Sequence, residues 1–185
     1  MSYTFTNEWF LGSELKQLIM NFMYANRVNK ILEIGSYEGA SACFFSDMLL
    51  DNPKSRLTCV DPFDTGDKTS PVNNTTINLF MSNINQSKNV NKIIVEKMFS
   101  SEFYEKNKGN AYNFIYIDGS HLLEDITIDF NNCLKIIENG GIIWMDDYNS
   151  SSQIRQHIDS LIGQNKDIIQ VIHKGYQIAF IVRRY

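Results

Sequence analysis

Short apolar runs alternate with longer stretches of helical periodicity along this chain. Five apolar runs typical of buried strands are predicted at 30–34, 56–60, 92–95, 113–117 and 142–145. Helices are predicted between and after them at 40–50, 75–85, 100–106, 122–137 and 152–162. Such alternation is typical of an α/β fold, in which helices cover both faces of a parallel sheet.

Both ends of the chain depart from this alternation. An amphipathic helix that ends near Asn26 is predicted from apolar residues at helical spacing, namely Leu15, Leu18, Ile19, Phe22 and Met23. Two β-rich runs at 168–173 and 177–182 are separated only by Lys174-Gly175-Tyr176. Because no helix fits between them, they are predicted to form a hairpin that adds an antiparallel strand.

One domain is expected over residues 1–185, with an N-terminal helical segment at 1–28 and the terminal β-hairpin at 166–185. The polar segment 65–74 is predicted to be a loop long enough to act as a lid. Asn139-Gly140-Gly141 is expected to end the helix at 122–137, since glycine commonly follows a helix C-terminus.

Composition narrows the expected partners and location. The net charge is −4, and the one adjacent basic pair, Arg183-Arg184, is expected to be a solvated tail, so no nucleic-acid partner is expected. No apolar run approaches the ~20 residues of a membrane span, and no signal peptide is apparent. The chain has three cysteines and no CxxC motif, which predicts buried free thiols and a cytoplasmic location.

The turn after the first strand has the features of a nucleoside site. Glycines in the segment Glu33-Ile34-Gly35-Ser36-Tyr37-Glu38-Gly39 allow a tight turn into a helix N-terminus. Asp61 ends the next strand, where an acid can accept hydrogen bonds from both ribose hydroxyls. The Gly-x-x-x-Gly spacing differs from the G-x-G-x-x-G of dinucleotide folds, so a ligand without phosphates is favoured over NAD.

Acidic residues follow two other predicted strands. Asp118-Gly119-Ser120-His121 comes after the run 114–117, and Asp146-Asp147 comes after the run 142–145. Because the carboxyl ends of parallel strands meet at one edge of a sheet, we expect these side chains to share a crevice. Their carboxylates and imidazole are sufficient for a divalent cation and a general base.

With these residues the chain resembles the class I S-adenosylmethionine-dependent methyltransferases over nearly its whole length. The resemblance implies a Rossmann-like seven-stranded sheet, mostly parallel, with an antiparallel last strand. It also implies S-adenosylmethionine as cofactor. The cofactor-binding residues implied are Glu33, Gly35, Ser36, Tyr37, Gly39, Asp61, Pro62, Met98, Phe99 and Asp118.

Within that superfamily, the segment 114–121 resembles metal-dependent O-methyltransferases of the macrolide-sugar and catechol types. That resemblance implies Mg²⁺ ligands at Asp118, Asp146 and Asp147, and a general base at His121. The implied reaction is methylation of a hydroxyl on a sugar or another small metabolite. An Asn/Asp-Pro-Pro-Tyr segment, which accompanies methylation of amines, is absent after this strand. Many relatives are dimers or larger, so a homo-oligomer is a further expectation.

Other interpretations remain open. The protein is alternatively a metal-independent small-molecule methyltransferase or a non-catalytic cofactor-binding subunit, and Asp118 alternatively contacts only substrate or cofactor. For the pair Asp146-Asp147, a structural role for one member is as well supported as metal binding by both. His121 is alternatively only a hydrogen-bond partner of an acid. For the aromatic residues near the N-terminus, core packing is preferred to a substrate wall; they are Tyr3, Phe5, Trp9 and Phe10.

Overall fold

The computed structural model describes residues 3–10, 12–22, 27–63, 75–107, 109 and 111–185. The strands are β1 (Lys30–Ile34), β2 (Arg56–Val60), β3 (Ile93–Glu96), β4 (Tyr112–Ile117), β5 (Ile137–Met145), β6 (Ile169–Lys174) and β7 (Ile178–Val182). The helices are α1 (Gly12–Phe22), α2 (Ala40–Leu49), α3 (Thr75–Asn85), α4 (Ser100–Lys106), α5 (Leu123–Ile136) and α6 (Ser152–Gln164), with a 3₁₀ turn at Val90–Lys92.

Within the described residues, seven strands form one sheet in the order β3-β2-β1-β4-β5-β7-β6. Strands β1 to β5 pair in parallel, whereas β7 is antiparallel to both β5 and β6. The predicted Rossmann-like sheet with a terminal antiparallel hairpin is therefore confirmed. The strand order reverses between β1 and β4, and the crevice at such a switch point is where open α/β sheets bind ligands.

Apolar side chains fill both faces of the sheet. Helices α4, α5 and α6 pack on one face, where Phe130 and Ile143 belong to the core. Helices α1, α2 and α3 pack on the other, where Phe45 and Trp144 are buried. Strand β4 is buried at every position, and Asn113 is its one polar residue. The three cysteines are buried and free, as predicted.

The prediction that Asn139-Gly140-Gly141 ends a helix is wrong. Helix α5 ends at Ile136, and β5 begins immediately at Ile137, which pairs with Tyr112. The C-terminal tail provides the physical reason, because the backbone of Arg184 exchanges hydrogen bonds with the Asn139 side chain at 2.8 and 3.1 Å. The Arg184 guanidinium also donates to the carbonyls of Leu134 and Ile137. Arg184 is exposed, as predicted for the tail, and its guanidinium also satisfies carbonyls at the helix end.

Predictions near the N-terminus have mixed outcomes. Phe10 packs against the α1/α2 core as expected, but Trp9 is 72% exposed, so core packing is wrong for Trp9. The predicted helix end near Asn26 and the predicted lid at 65–74 lie outside the described residues. Among the described helices, none combines the length and the apolar character that a membrane crossing requires.

Candidate active site

Backbone hydrogen bonds continue beyond the strand ends and bring three loops together. Gly35 N–H donates to the carbonyl of Val60 at 2.9 Å, and Asp118 N–H donates to that of Ile34 at 2.8 Å. Asp146 N–H extends the ladder to the next strand by donating to Ile117 at 2.9 Å. The loop at Gly35–Gly39 after β1, called the glycine loop below, therefore lies beside Asp118 after β4 and Asp146 after β5. The three meet at one edge of the sheet, as predicted from the strand pattern.

Gly35 is fixed by the close approach of the loop that follows β4. Its φ is +83°, and an added Cβ would lie 2.0 Å from the carbonyl oxygen of Asp118. No other residue type fits this position, since both the backbone conformation and the space exclude a side chain. The loop predicted to bind cofactor and the loop that carries Asp118 are consequently in direct contact.

Asp61 binds the glycine loop. Its Oδ2 accepts hydrogen bonds from the backbone N–H groups of Ser36 and Tyr37 at 2.7 and 2.8 Å, and its Oδ1 accepts one from Phe63 at 2.5 Å. Ribose binding by this carboxylate stays a prediction. A carboxylate offers about four lone-pair sites, so the bonds to the loop leave acceptor capacity for a hydroxyl.

Glu33 lies underneath the same loop and is fully buried. Its Oε2 accepts a hydrogen bond from the hydroxyl of Ser36 at 2.5 Å. Burial raises the pKa of this carboxyl to about 7. Glu33 therefore lies beneath the loop and contacts it through Ser36, and a role in cofactor binding stays a prediction.

The other residues predicted to bind cofactor surround this loop. Gly39 begins α2 with a φ of +87°. Tyr37 stacks on Trp9, with ring centroids 5.3 Å apart. Beyond β3, Phe99 is an exposed aromatic and Met98 packs partly against the core. Pro62, directly after Asp61, is half-buried. Cofactor contacts for these residues stay predictions.

The N-terminal segment also belongs to this loop, which sequence reasoning did not predict. Glu38 is buried, and its carboxylate accepts hydrogen bonds from both the backbone N–H and the hydroxyl of Thr6, each at 2.7 Å. Asn83 adds hydrogen bonds of 2.8 and 2.9 Å to the backbone of Thr4, and its amide also donates to the carbonyl of Glu38 at 2.9 Å. Residues 3–10 are thus fastened to the glycine loop.

A cluster with the donor chemistry of a metal site lies at the adjacent edge. Asp118, His121 and Asp147 each offer one ligand atom, and these atoms lie within 4.8 Å of one another. Burial, followed by the charges of Asp146 and Asp147, raises the pKa of Asp118 well above its ordinary value. Because a divalent cation would offset both the burial of this carboxyl and the neighbouring negative charges, it would favour the ionised carboxylate.

His121 and Asp147 form a close pair inside this cluster. The imidazole Nε2 lies 2.5 Å from Oδ2 of Asp147 and must donate, since a carboxylate only accepts. The bond raises the pKa of His121 and lowers the pKa of Asp147. The contact also orients the ring, so Nδ1 is the nitrogen that can accept a proton.

The neighbouring acids Asp146 and Asp147 have different surroundings. Asp146 Oδ2 accepts a hydrogen bond from the hydroxyl of Tyr116 at 2.5 Å, and Oδ1 accepts one from the backbone N–H of Asp147 at 2.7 Å. The Asp147 backbone has a φ of +51°, which turns it away from the direction of β5. The geometry thus brings Asp147 close to Asp118 and His121. Asp146 is hydrogen-bonded to Tyr116 and lines the cavity that these three residues also line.

Sequence reasoning missed Tyr176, in the turn between β6 and β7. Its hydroxyl donates to Oδ1 of Asp147 at 2.6 Å, and this bond raises the pKa of the phenol to about 12. The signal was present in the predicted hairpin. A strand that pairs antiparallel with β5 begins where β5 ends, so the preceding turn lies at the acidic edge.

The two other histidines make contacts away from this cluster. His157 pairs with the hydroxyl of Thr127 at 2.7 Å, and His173 stacks on Trp144 and contacts Glu14 at 3.0 Å.

A family model described as a methyltransferase domain matches residues 32–148, which include the glycine loop, Asp61 and both acidic segments. The chain belongs to the methyltransferase-domain family. The match and the fold together confirm a class I S-adenosylmethionine-dependent methyltransferase. No curated protein shows significant sequence similarity to this methyltransferase.

Solved structures share the fold at low sequence identity. The O-methyltransferase TomG of tomaymycin synthesis from Streptomyces achromogenes, solved with S-adenosylmethionine, has a TM-score of 0.70 at 14% identity, with 95% of this chain and 82% of TomG covered. An O-methyltransferase from Bacillus cereus, in complex with S-adenosylhomocysteine, has a TM-score of 0.68 at 18% identity, with 100% and 84% covered. A candidate rRNA methylase from Clostridium thermocellum has a TM-score of 0.70 at 11% identity, with 97% and 99% covered. At these identities the likeness shows the shared fold alone.

Proposed function

We propose that this methyltransferase transfers the methyl group of S-adenosylmethionine to a hydroxyl of a small metabolite, with a sugar hydroxyl as the leading candidate, and that it requires Mg²⁺. The observation that supports the proposal most strongly is the cluster of Asp118, His121 and Asp147 beside the glycine loop. This arrangement combines an oxygen-rich cation site with a base. An alcohol acceptor needs both of these groups, whereas a more reactive nucleophile does not.

The donor set suits a hard divalent cation. Asp118 and Asp147 would hold it, with Asp146 as a further acid in the wall of the cavity. Magnesium prefers one or two carboxylates and retains water positions, so these side chains suffice. When bound, the ion would lower the pKa of an acceptor hydroxyl and orient it.

The protein's own groups have distinct tasks in this proposal. Gly35, Ser36 and Asp61 bind and orient the cofactor at the switch point of the sheet. His121, oriented by Asp147, accepts the hydroxyl proton at Nδ1. Ile126, Met145 and Ile158 form an apolar floor beneath the acids and exclude water from one side of the cavity. Alignment of the reacting groups supplies much of the rate, since methyl transfer needs little further chemistry.

The His121–Asp147 pair also supports a second candidate, metal-free O-methylation. An imidazole held by a carboxylate is a sufficient general base on its own when the acceptor is more acidic, such as a phenol. The buried free cysteines support the further proposal that the protein works in the cytoplasm.

The test is a coupled assay of S-adenosylhomocysteine release with sugar, catechol and simple alcohol acceptors, each in Mg²⁺ and in excess EDTA. The proposal predicts turnover on a hydroxyl acceptor that EDTA abolishes, and a loss of about 100-fold or more in His121→Ala. Turnover that persists in EDTA selects the metal-free candidate. Turnover that is indifferent to both Asp118→Asn and His121→Ala would overturn the site.

A further inference from the structure

The hydroxyl of Tyr176 donates a hydrogen bond to Asp147, although solvent could also satisfy this hydroxyl. The side chain is 39% exposed, so water could solvate the phenol, yet its hydroxyl lies 2.6 Å from Oδ1 of Asp147. The turn that carries it contains Gly175, whose N–H donates to the carbonyl of Gln177 at 2.8 Å. The turn that carries the phenol is thus closed by a backbone hydrogen bond of its own.

The sheet brings this turn to the acidic edge. Strand β7 pairs antiparallel with β5, and Ile178 lies opposite Met145. Residues that precede Ile178 consequently run beside residues that follow Met145. The backbone N–H of Asn149 donates to the carbonyl of Tyr176 at 2.9 Å, which is a second connection between the turn and the loop after β5.

The Asp147 carboxylate is held on both oxygens. Tyr176 donates to Oδ1, and His121 donates to Oδ2 at 2.5 Å. The backbone is held as well, since the carbonyl of Asp147 accepts hydrogen bonds from the N–H and the hydroxyl of Ser150 at 3.0 and 2.7 Å. With about four lone-pair sites on a carboxylate, both oxygens retain capacity for a cation.

We propose that Tyr176 is a positioning residue for the metal site, which fixes the plane of the Asp147 carboxylate so that it presents a free lone pair toward Asp118. The inference rests on the proposed function, because it needs the cation site. Partners that orient metal-bound carboxylates typically change metal affinity by about 10- to 100-fold when removed. Tyr176 would act on the cation only through Asp147.

The test uses Mn²⁺ as a spectroscopic substitute for Mg²⁺. Free Mn²⁺ is measured by electron paramagnetic resonance during titration of the S-adenosylhomocysteine-saturated protein. We expect Tyr176→Phe to raise the dissociation constant about 10- to 100-fold. The matched control is Tyr148→Phe, which removes a hydroxyl that donates to the carboxylate of Asp159 at 2.9 and 3.0 Å, and it should leave the constant unchanged.

A double-mutant cycle distinguishes positioning from general loosening. In an Asp147→Asn background, Tyr176→Phe should have no further effect on Mn²⁺ affinity, because the carboxylate that it orients is gone. Additive effects would overturn the inference, as would a Tyr176→Phe constant within twofold of wild type. Both of these results leave the proposed metal site intact, whereas absence of Mn²⁺ binding in the wild type would overturn both proposals.

Discussion

Nε2 of His121 lies 2.5 Å from Oδ2 of Asp147, although 26 residues separate them in the sequence. The contact exists because β4 and β5 are parallel neighbours whose carboxyl ends meet at one edge. It supplies both the orientation of a base and one side of a cation site.

The titration of His121 should depend on Asp147. In metal-free protein we expect the pKa of His121 to lie above the ordinary value of about 6.5, because the imidazolium donates to a carboxylate. Asp147→Asn should bring it back toward that value. Histidine ring resonances followed by NMR would show this, with His121→Ala for assignment.

The same pair predicts a window of stability. A raised histidine pKa contributes stability that is present below the unfolded value and lost as pH rises through the folded value. The lowered pKa of Asp147 contributes stability that is lost as pH falls through its folded value. The pair should therefore stabilise the fold between those limits. Titration of His121 at or below its ordinary value, unaffected by Asp147→Asn, would contradict the pairing.

Gly35→Ala should damage the cofactor loop far more than an ordinary glycine substitution. The new Cβ would lie 2.0 Å from the carbonyl oxygen of Asp118. Gly140→Ala is the matched control, since its φ of +80° is nearly the same and no described atom lies within 4 Å of its added Cβ.

We expect Gly140→Ala to cost about 1–2 kcal/mol in the free energy of unfolding, which is the strain of the left-handed conformation. Gly35→Ala should cost more than that and also abolish binding of S-adenosylhomocysteine. Urea denaturation and calorimetry measure the two effects. Equal losses in both variants would show that the contact between Gly35 and Asp118 is unimportant.

Glu33→Gln should stabilise the apo protein above neutral pH. The folded pKa of Glu33 is raised to about 7, so its contribution to stability is present below the unfolded value and lost as pH rises to the folded value. A neutral amide removes that loss, and we expect a gain on the order of 2 kcal/mol, or about 4–8 °C in Tm, at pH 8 and none at pH 4.

Burial also raises the pKa of Asp129, to about 6. Glu33→Gln should therefore remove only part of the pH dependence of stability. Thermal unfolding followed by circular dichroism from pH 4 to pH 8 measures the effect. A Glu33→Gln protein that is less stable than wild type at pH 8 would show that the ionised carboxylate is needed.

Thr6→Val should weaken cofactor binding without touching the cofactor crevice directly. Its hydroxyl provides one of the two hydrogen bonds to the buried Glu38 carboxylate, which follows Tyr37 in the glycine loop. We expect affinity for S-adenosylhomocysteine to fall about tenfold, the equivalent of one charge-assisted hydrogen bond. Thr127→Val is the control, since that hydroxyl donates to Leu123 on α5. Similar affinities in the two variants would exclude the N-terminal segment from the cofactor site.

Strand periodicity was sufficient to predict the fold and the meeting of Asp118, His121 and Asp147 at one edge. Contacts that depend on loop geometry were not predictable in this way. Asp146 and Asp147 are adjacent in sequence, and only the left-handed backbone of Asp147 separates their surroundings. Thr6 reaches Glu38 from a segment that carries no helical or strand periodicity. Asn139, near the start of β5, accepts a hydrogen bond from the backbone of Arg184, which is 45 residues distant in the sequence.

The most direct test of the account is calorimetric titration of Mg²⁺ into protein saturated with S-adenosylhomocysteine. We predict saturable binding in the wild type that is weakened at least tenfold in Asp118→Asn. Asp159→Asn is the control, because the Asp159 carboxylate accepts hydrogen bonds from Tyr148 and Lys174 and does not belong to the cluster. Its loss should leave Mg²⁺ affinity unchanged. Absence of binding in the wild type, or equal binding in Asp118→Asn, would contradict a metal site built on Asp118 and Asp147.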